Sequence, residues 1–480
     1  MENTSHNYVR IENAKFGNRG IVYTATVFIL SFLICVIIGA TGPAVLQIRN
    51  DGTSQLEVTN GEAVWNGVLE DMTPLNQLFW LTTKIYRDDS TSEEVGTLET
   101  WVNVTGISSF DKSEASEKNL VDNKMSSRTV RCKAGSLGCN EFYIFGEPTV
   151  RYEQYNVHIK FRVDADHFTE SGTLRVRVDL HTVNSEYSKF ELGWKWFFIL
   201  TTLVVLFLPQ EGFLIKLVGV PYRLWSFEQT WVLTLLIALI FFNDPFFAAQ
   251  LYTKHADSMA ILYIFFTASF IGIVLVFWLC VLDEMRSTDA AGVGGRDSGR
   301  RSPVTFYTPK LVLVTLIWTI LMSTYAYVRT ERRGDPTYEG TDDWVLRDIE
   351  IVLVTFLLVY CVYLFSLLVL SFSRIVALSP PFKFLFSVTV FVFATVMTGL
   401  FAGYFYPLAT SAVIFLSFYA IMNFYVWTLA FAYAPLGTDE GYSKGPTAFG
   451  EDYFDERGGL AEGQDVMMVG DGRSDSMFEV

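Results

Sequence analysis

Basic charge is in short supply in this chain: 36 Lys and Arg stand against 51 Asp and Glu over 480 residues, a formal net charge of −15. A phosphate-binding surface needs an excess of Lys and Arg, and no basic stripe runs along the sequence, which excludes nucleic acid as a partner. Also missing are a glycine-rich nucleotide loop, the paired-histidine helix of a zinc protease and the nucleophile elbow of a hydrolase. An enzyme reading therefore has no chemistry to stand on, and neither catalytic residues nor a cofactor are expected. Cysteine is sparse, and Cys35, Cys280 and Cys361 fall inside apolar runs. Only Cys132 and Cys139 lie in a polar, loop-rich region, where their spacing permits a small disulfide-closed loop in an oxidising compartment. Two free surface thiols are the alternative. Zinc is disfavoured because no second Cys or His pair accompanies them.

Apolar residues are abundant instead, at 51% hydrophobic and 16% aromatic, which marks a membrane protein. Residues Ile21 to Ala40 carry no charge and are long enough to cross the hydrocarbon core. That run is too long for the apolar region of a cleaved signal peptide and reads as a signal anchor. Arg10, Lys15 and Arg19 before it favour a cytosolic N-terminus.

From Gln47 to Leu192 the chain reads as a soluble domain of short strands. Tyr155, Val157, Ile159, Phe161 and Val163 alternate with polar residues, as do Leu174, Val176, Val178 and Leu180. These two strands are expected to pair as a hairpin around Glu170 to Gly172. Weaker strands at Leu78 to Tyr86, Trp101 to Ile107 and Phe142 to Phe145 complete an antiparallel sandwich, with Asp111 to Arg128 an exposed loop. Asn103, Val104 and Thr105 form a glycosylation acceptor, as a lumenal domain would carry. A second acceptor at Asn3 falls on the cytosolic side and stays bare.

Seven further apolar segments follow: Trp194 to Leu208, Trp231 to Leu251, Ala260 to Leu282, Leu311 to Val328, Ile349 to Phe372, Phe384 to Phe405 and Val413 to Tyr433. The first is short and has room to extend past Pro209 to Leu217. Basic residues concentrate in the loops this topology makes cytosolic (Lys216, Arg223, Arg286, Arg296, Arg300, Arg301, Lys310, Arg374 and Lys383), although Lys254, Arg329, Arg332, Arg333 and Arg347 run against the rule. The expected organisation is a cytosolic N-terminus over 1–20, a first transmembrane helix over 21–46, a lumenal domain over 47–192, a helix bundle over 193–435 and a cytosolic tail over 436–480. The tail holds eleven acidic residues against three basic and reads as disordered. It ends in Phe478, Glu479 and Val480, a hydrophobic terminus suited to capture by sorting machinery.

Within the spans, Asn243, Asp244 and Pro245 interrupt an aromatic helix near its lumenal end. They either line a bundle cavity that positions a ligand or satisfy the broken helix turn. Lys310 and Glu350 at span edges read as snorkelling to the interface, and the spans otherwise look nearly bare of polar residues, against a channel or transporter. Gly399 and Gly403 have the spacing that lets two helices approach closely. Asp164, Asp166 and His167 read as a solvated hairpin end rather than a metal site. Arg300 to Pro303 offers a basic-directed kinase a site in a flexible loop.

Three sets of residues carry a family resemblance: Ser226 to Gln229 with Phe242 to Phe247; Phe306 to Lys310; and Leu416 to Tyr419 with Asn423 to Tyr425 and Leu429 to Pro435. Over Pro221 to Pro435 the chain resembles the transmembrane protein 181 family, a relative of Wntless. The resemblance implies a lumenal antiparallel β-sandwich of the Golgi-dynamics (GOLD) type on a bundle of seven transmembrane helices, with the N-terminal signal anchor making eight spans. It further implies secretory-pathway trafficking, a lumenal protein or lipidated cargo as partner, membrane lipid around the bundle, and cytosolic sorting machinery. The alternative it offers is a receptor-like protein at the cell surface, open to a ligand or toxin.

Overall fold

The structure, a computed structural model, describes residues 17–435 apart from 88–92, 111–115, 163–172, 223–224, 253–255, 289–302, 339, 341–342, 373–379 and 406–410. An apolar helix, α1 (Gly17–Ala40), leads into eight strands: β1 (Leu46–Glu57), β2 (Glu62–Leu69), β3 (Phe79–Tyr86), β4 (Glu94–Ser109), β5 (Glu117–Cys132), β6 (Phe142–Glu147), β7 (Tyr152–Arg162) and β8 (Thr173–Val183). They form two antiparallel four-stranded sheets, ordered β1-β8-β3-β6 and β2-β7-β4-β5. Alternation explains the layering: along β7, Tyr155, Val157, Ile159 and Phe161 are buried between the sheets while their neighbours face out. The Tyr155 hydroxyl accepts from the Arg151 and Tyr152 amides at 3.0 and 3.2 Å, so the ring is buried with its polar end satisfied.

Two expectations fail here. The alternating strands β7 and β8 do not pair; β7 lies between β2 and β4, and β8 between β1 and β3. Both are central strands, each buried on one face, and each gains more apolar neighbours in opposite sheets than as a two-strand ribbon. Nor is the polar stretch before Arg128 a loop where it is described, since β5 runs from Glu117 and pairs with β4 from Ile107 to Glu94. It is an edge strand with few inward apolar residues, Val121 and Val130 among them, so its alternation is faint. A disulfide joins Cys132 to Cys139, and the Cys139 amide donates to Ile85 O at 2.9 Å, fastening the turn to β3.

The chain then enters the bundle: α2 (Ser185–Phe207), α3 (Phe213–Val218), α4 (Phe227–Phe242), α5 (Phe247–Tyr252), α6 (Ala256–Thr288), α7 (Pro303–Gly334), α8 (Trp344–Phe372), α9 (Pro380–Phe405) and α10 (Ala412–Ala432). Among the described residues seven helices, α1 among them, are long and apolar enough to cross a membrane, and α9 adds the apolar stretch Lys383–Thr398. Rather than extending towards Leu217, the α2 span extends backwards, starting directly after β8 with Asn184 as its cap and accepting from the Glu186 amide at 3.0 Å. The central helix is α10, with 61% of its apolar window buried, against 11% for α7 and 17% for α8. Against α10 pack α1, α2, α4 and α9, while α6 joins α4 to the outer pair α7 and α8.

Helix α1 comes close to α10 at Gly39. A Cβ on Gly39 would lie 2.8 Å from the Val413 Cα, a backbone atom that cannot swing aside. Gly39→Val is expected to push α1 off α10 and to cost about 1–3 kcal/mol, measured as a lowered unfolding midpoint of the full chain in detergent; an unchanged midpoint would refute the contact.

Candidate functional site

The site begins with a 3-10 turn, Pro74–Asn76, between β2 and β3. Asn76 is buried and holds the turn shut: its Oδ1 accepts from the Thr73 amide and hydroxyl at 2.9 Å, and its Nδ2 donates to Thr182 Oγ1 and Val183 O. The next residue, Gln77, is forced to φ 53°, a left-handed conformation costly for a side chain with a Cβ. That geometry aims Gln77 out of the sandwich into α2, where its Nε2 donates to Ser188 Oγ at 2.9 Å and to Glu191 Oε2 at 3.1 Å. Ser188 Oγ in turn donates to Leu75 O at 2.6 Å.

One helical turn after Glu191, Lys195 lies inside the bundle. Its ammonium is 2.8 Å from Glu191 Oε1 and 3.1 Å from Asp244 Oδ2, with side chains of Lys195 and Asp244 each 2% exposed. Aromatic faces close the remaining sides, with the Phe247 ring centroid at 3.8 Å and that of Tyr263 at 4.6 Å. Tyr263 and Tyr419 meet hydroxyl to hydroxyl at 3.2 Å. Asp244 comes within reach because α4 stops at Phe242: Asn243 caps it and Asp244 takes φ 56°, reversing the chain ahead of Pro245 and α5. Beside it Asn243 and Asn423 exchange amide hydrogen bonds at 2.8 and 2.9 Å, both fully buried. A charge in such surroundings persists only when paired, so Glu191, Lys195 and Asp244 stand or fall together.

A second joint fastens the sandwich to the outer helices. The turn between α7 and α8 presents Pro336 O to the Gly146 amide at 3.1 Å and to the Tyr143 hydroxyl at 3.1 Å, capping part of the β6 edge. Arg128 Nη2 donates to Thr337 O at 2.7 Å, and Lys124 pairs with Asp335 at 3.2 Å. Partial burial opposes ionisation of Asp335, but hydrogen bonds from Thr337 and Lys124 outweigh it and hold the carboxyl below the usual carboxylate range. Asp343 caps α8 through the Val345 amide at 2.8 Å and accepts from the Tyr327 and Tyr338 hydroxyls at 2.7 Å each.

At the opposite end of the bundle Lys310, expected to snorkel, is buried at 1% exposure and pairs with Asp283 at 2.7 Å under the Phe306 ring. It fails to snorkel because the carboxylate of α6 supplies inside what the interface would supply outside. Glu350 is exposed on α8. The expectation of spans nearly bare of polar groups fails with these two clusters. Asn243 and Asp244 do point into the bundle, but each is occupied, by Asn423 and Lys195; Pro245 is half-buried behind them. Asn103 stands half-buried on the outward face of β4, opposite His158. Asp164, Asp166, His167, Asn3, Arg300 to Ser302, the cytosolic tail with Phe478, Glu479 and Val480, and the surroundings of Gly399 and Gly403 lie outside the described residues. Sequence reasoning missed Glu191 and Lys195, although an acid and a base four apart in an otherwise apolar run are a readable signal.

An antiparallel sandwich rooted on a polar-jointed helix bundle defines a class of multi-pass membrane protein. Residues 184–437 match the profile of the Wntless-like transmembrane domain, and residues 68–184 that of the transmembrane protein 181 GOLD domain. The chain belongs to the Wntless-like transmembrane family. It is similar to human transmembrane protein 181, at 27% identity over 441 residues, covering 87% of this chain and 86% of that one. The sandwich begins well before the matched segment, because β1 pairs with β8 and most of β2, before residue 68, pairs with β7.

Lys195→Met strands two buried carboxylates and is expected to cost about 3–5 kcal/mol, read as loss of folded protein in detergent. Adding Glu191→Gln and Asp244→Asn should recover most of that loss, and failure to recover it would show that Lys195 acts by packing alone. At the second joint, a carboxyl with a depressed folded value contributes stability above its unfolded value, near roughly 3.9, and loses it only as pH falls through the lower one. Hydrogen exchange at Thr337 and Tyr338, corrected for intrinsic rates, should therefore show equal protection at pH 7.5 and 5.5.

Proposed function

We propose that this chain works in the secretory pathway as a sorting or escort protein. Its sandwich faces the lumen and binds a protein or lipidated cargo, membrane lipid surrounds the bundle, and the cytosolic loops and acidic tail engage transport machinery. Both termini are cytosolic in this reading, and Asn103 carries a glycan on the lumenal side. The observation that carries the proposal is the double joint: a β domain large enough to bind a protein is fastened to the helices at two separate places, and one ends on a buried ion cluster. Occupancy of the sandwich thus has a contiguous physical route into the bundle. Membership of a family that pairs this sandwich with this bundle supports the reading, while lipidated cargo rests on analogy of fold. No enzymatic step belongs to it, since the buried acids and bases are committed to one another.

A receptor-like role at the cell surface is the competing reading. The buried Asp283–Lys310 pair is the observation on its side, because a charge pair joining α6 to α7 at the end away from the sandwich is the kind of contact that a receptor remakes when its helices shift. Steady-state imaging of the tagged full chain, with and without Phe478 to Val480, separates the two. Golgi or endosomal residence that shifts on deletion is the expected result. Stable plasma-membrane residence of both forms would overturn the sorting role in favour of reception.

A further inference from the structure

We propose that the open edge of β2 docks an extended segment of another polypeptide, which joins the sheet as a further strand and sets one apolar side chain into a slot between the two sheets. The proposal rests on the reading that the sandwich binds a protein, and it names the surface and the form of the partner. The sandwich has four edge strands, β1, β6, β2 and β5. Three are blunted: β1 is broken by a bulge between Asn50 and Thr53 with Gly52 at φ 85°, β6 is capped by Pro336 O, and β5 exposes Lys118, Lys124 and Arg131. β2 has no such device. From Ala63 to Leu69 it holds neither charge nor proline, keeps an unbroken register with β7, and leaves Val64 and Val68 40% and 52% exposed.

The backbone shows which groups await a partner. Glu62 exchanges hydrogen bonds with Thr59, its amide donating at 3.1 Å and its carbonyl accepting at 2.9 Å, on the side away from β7. Antiparallel pairing alternates, so Val64, Asn66 and Val68 turn their amides and carbonyls the same way. Among the described residues none of these groups has a backbone partner. Beside that edge a cavity of about 190 Å³ opens between the sheets, floored by Trp65, Leu69, Leu81 and Leu180. Gly67 leaves the inward face of the strand bare, since a Cβ there would collide with the Trp65 ring lying over it. Along an added strand side chains alternate, so the residue beside Gly67 points into the slot and its neighbours point out over Asn66 and His158. At the mouth Glu70 and Asp71 are exposed, and among the described residues neither carboxylate has an ion-pair partner, whereas the Arg49 guanidinium is turned to Glu70 O at 3.4 Å. The partner is therefore a strand with an apolar residue for the slot and a Lys or Arg close to it in sequence. A second copy of this chain does not fit, because the inward residues of its own β2, Ala63, Trp65 and Leu69, are spent on its own core. Asn103 lies two strands in from the edge on the outward face, so a glycan there leaves the slot open.

The test is selection of displayed random peptides, long enough to span β2, on the full chain in lipid nanodiscs, with Val68→Pro as the counter-target. The proline removes one outward amide and leaves the β7 ladder intact, as an edge strand tolerates. Protection of the β4 and β7 amides from hydrogen exchange reports that the variant has folded. Enriched peptides should alternate apolar and polar residues and carry a Lys or Arg. They should bind the wild-type chain about tenfold more tightly than Val68→Pro, and slow exchange of its Val64 and Asn66 amides. Glu70→Lys, a surface change, should weaken the same peptides about threefold. Peptides that bind the wild-type chain and folded Val68→Pro equally, or no enrichment at all, overturn the docking edge. So does crosslinking of Val64→Cys to its own copy in membranes, which would assign the edge to self-association. Imaging of the tagged chain does not depend on β2, so residence that shifts with the tail while no edge-dependent peptide is found removes the docking edge and leaves the sorting role standing.

Discussion

The ammonium of Lys195, held between Glu191 and Asp244 in the apolar interior, constrains almost every element near it. To reach it, α4 must stop short and turn its next residue into the left-handed region; to shield it, α5 and α6 must bring Phe247 and Tyr263 over its faces. To complete it, the sandwich must sit where Gln77 meets Glu191. An exposed pair of the same composition would impose none of this, since water would supply the missing partners. Inside a bilayer-spanning bundle the cost of leaving any of the three charges alone makes their mutual geometry a condition of folding.

The residues that carry the family resemblance turn out to be joints of the same kind. Ser226 and Gln229 close a capping box at the head of α4, and the Gln229 amide then reaches Tyr433 O at 3.3 Å beyond the end of α10. Phe306 and Lys310 cover and neutralise Asp283. Asn243 meets Asn423, and Tyr425 receives the Trp278 indole at 3.1 Å while bonding Thr389. Lipid chains are as apolar as Leu, so burial alone gives two helices little reason to choose one another in a membrane. Directional polar contacts supply that choice, which accounts for their concentration on α4, α6 and α10, the three most buried helices.

How far the fold could be read from the residues depends on where each decision is made. Spanning helices are fixed by local apolar length and were legible, as were β7 and β8 by their alternation. Which strands pair is decided across the sandwich, and chain proximity misled for β7 and β8. The edge strand β5 was illegible because only one of its faces is partly covered, so its polar residues resemble those of a loop. The ion clusters were hidden for a related reason. Lys310 looks like a snorkelling base until Asp283, 27 residues earlier on another helix, is set beside it, and Glu191 was assigned to the end of a soluble domain because the helix was expected to start only after it.

The two joints differ in what they transmit. The Pro336 turn grips β6 and β5 chiefly through backbone carbonyls and a carboxyl held firmly ionised, and so ties α7 and α8, the least buried of the spans, to the sandwich. The Gln77 joint is made by side chains, with Gln77 donating to Ser188 and Glu191 and Ser188 donating to Leu75 O, and it passes directly into the buried pair of Lys195 and Asp244. Because α2, α4 and α10 are bound together by Lys195, Asp244, Asn243 and Asn423, the sandwich meets the buried core of the bundle at this joint and the outer pair α7 and α8 at the other, with α6 packed between the two groups of helices.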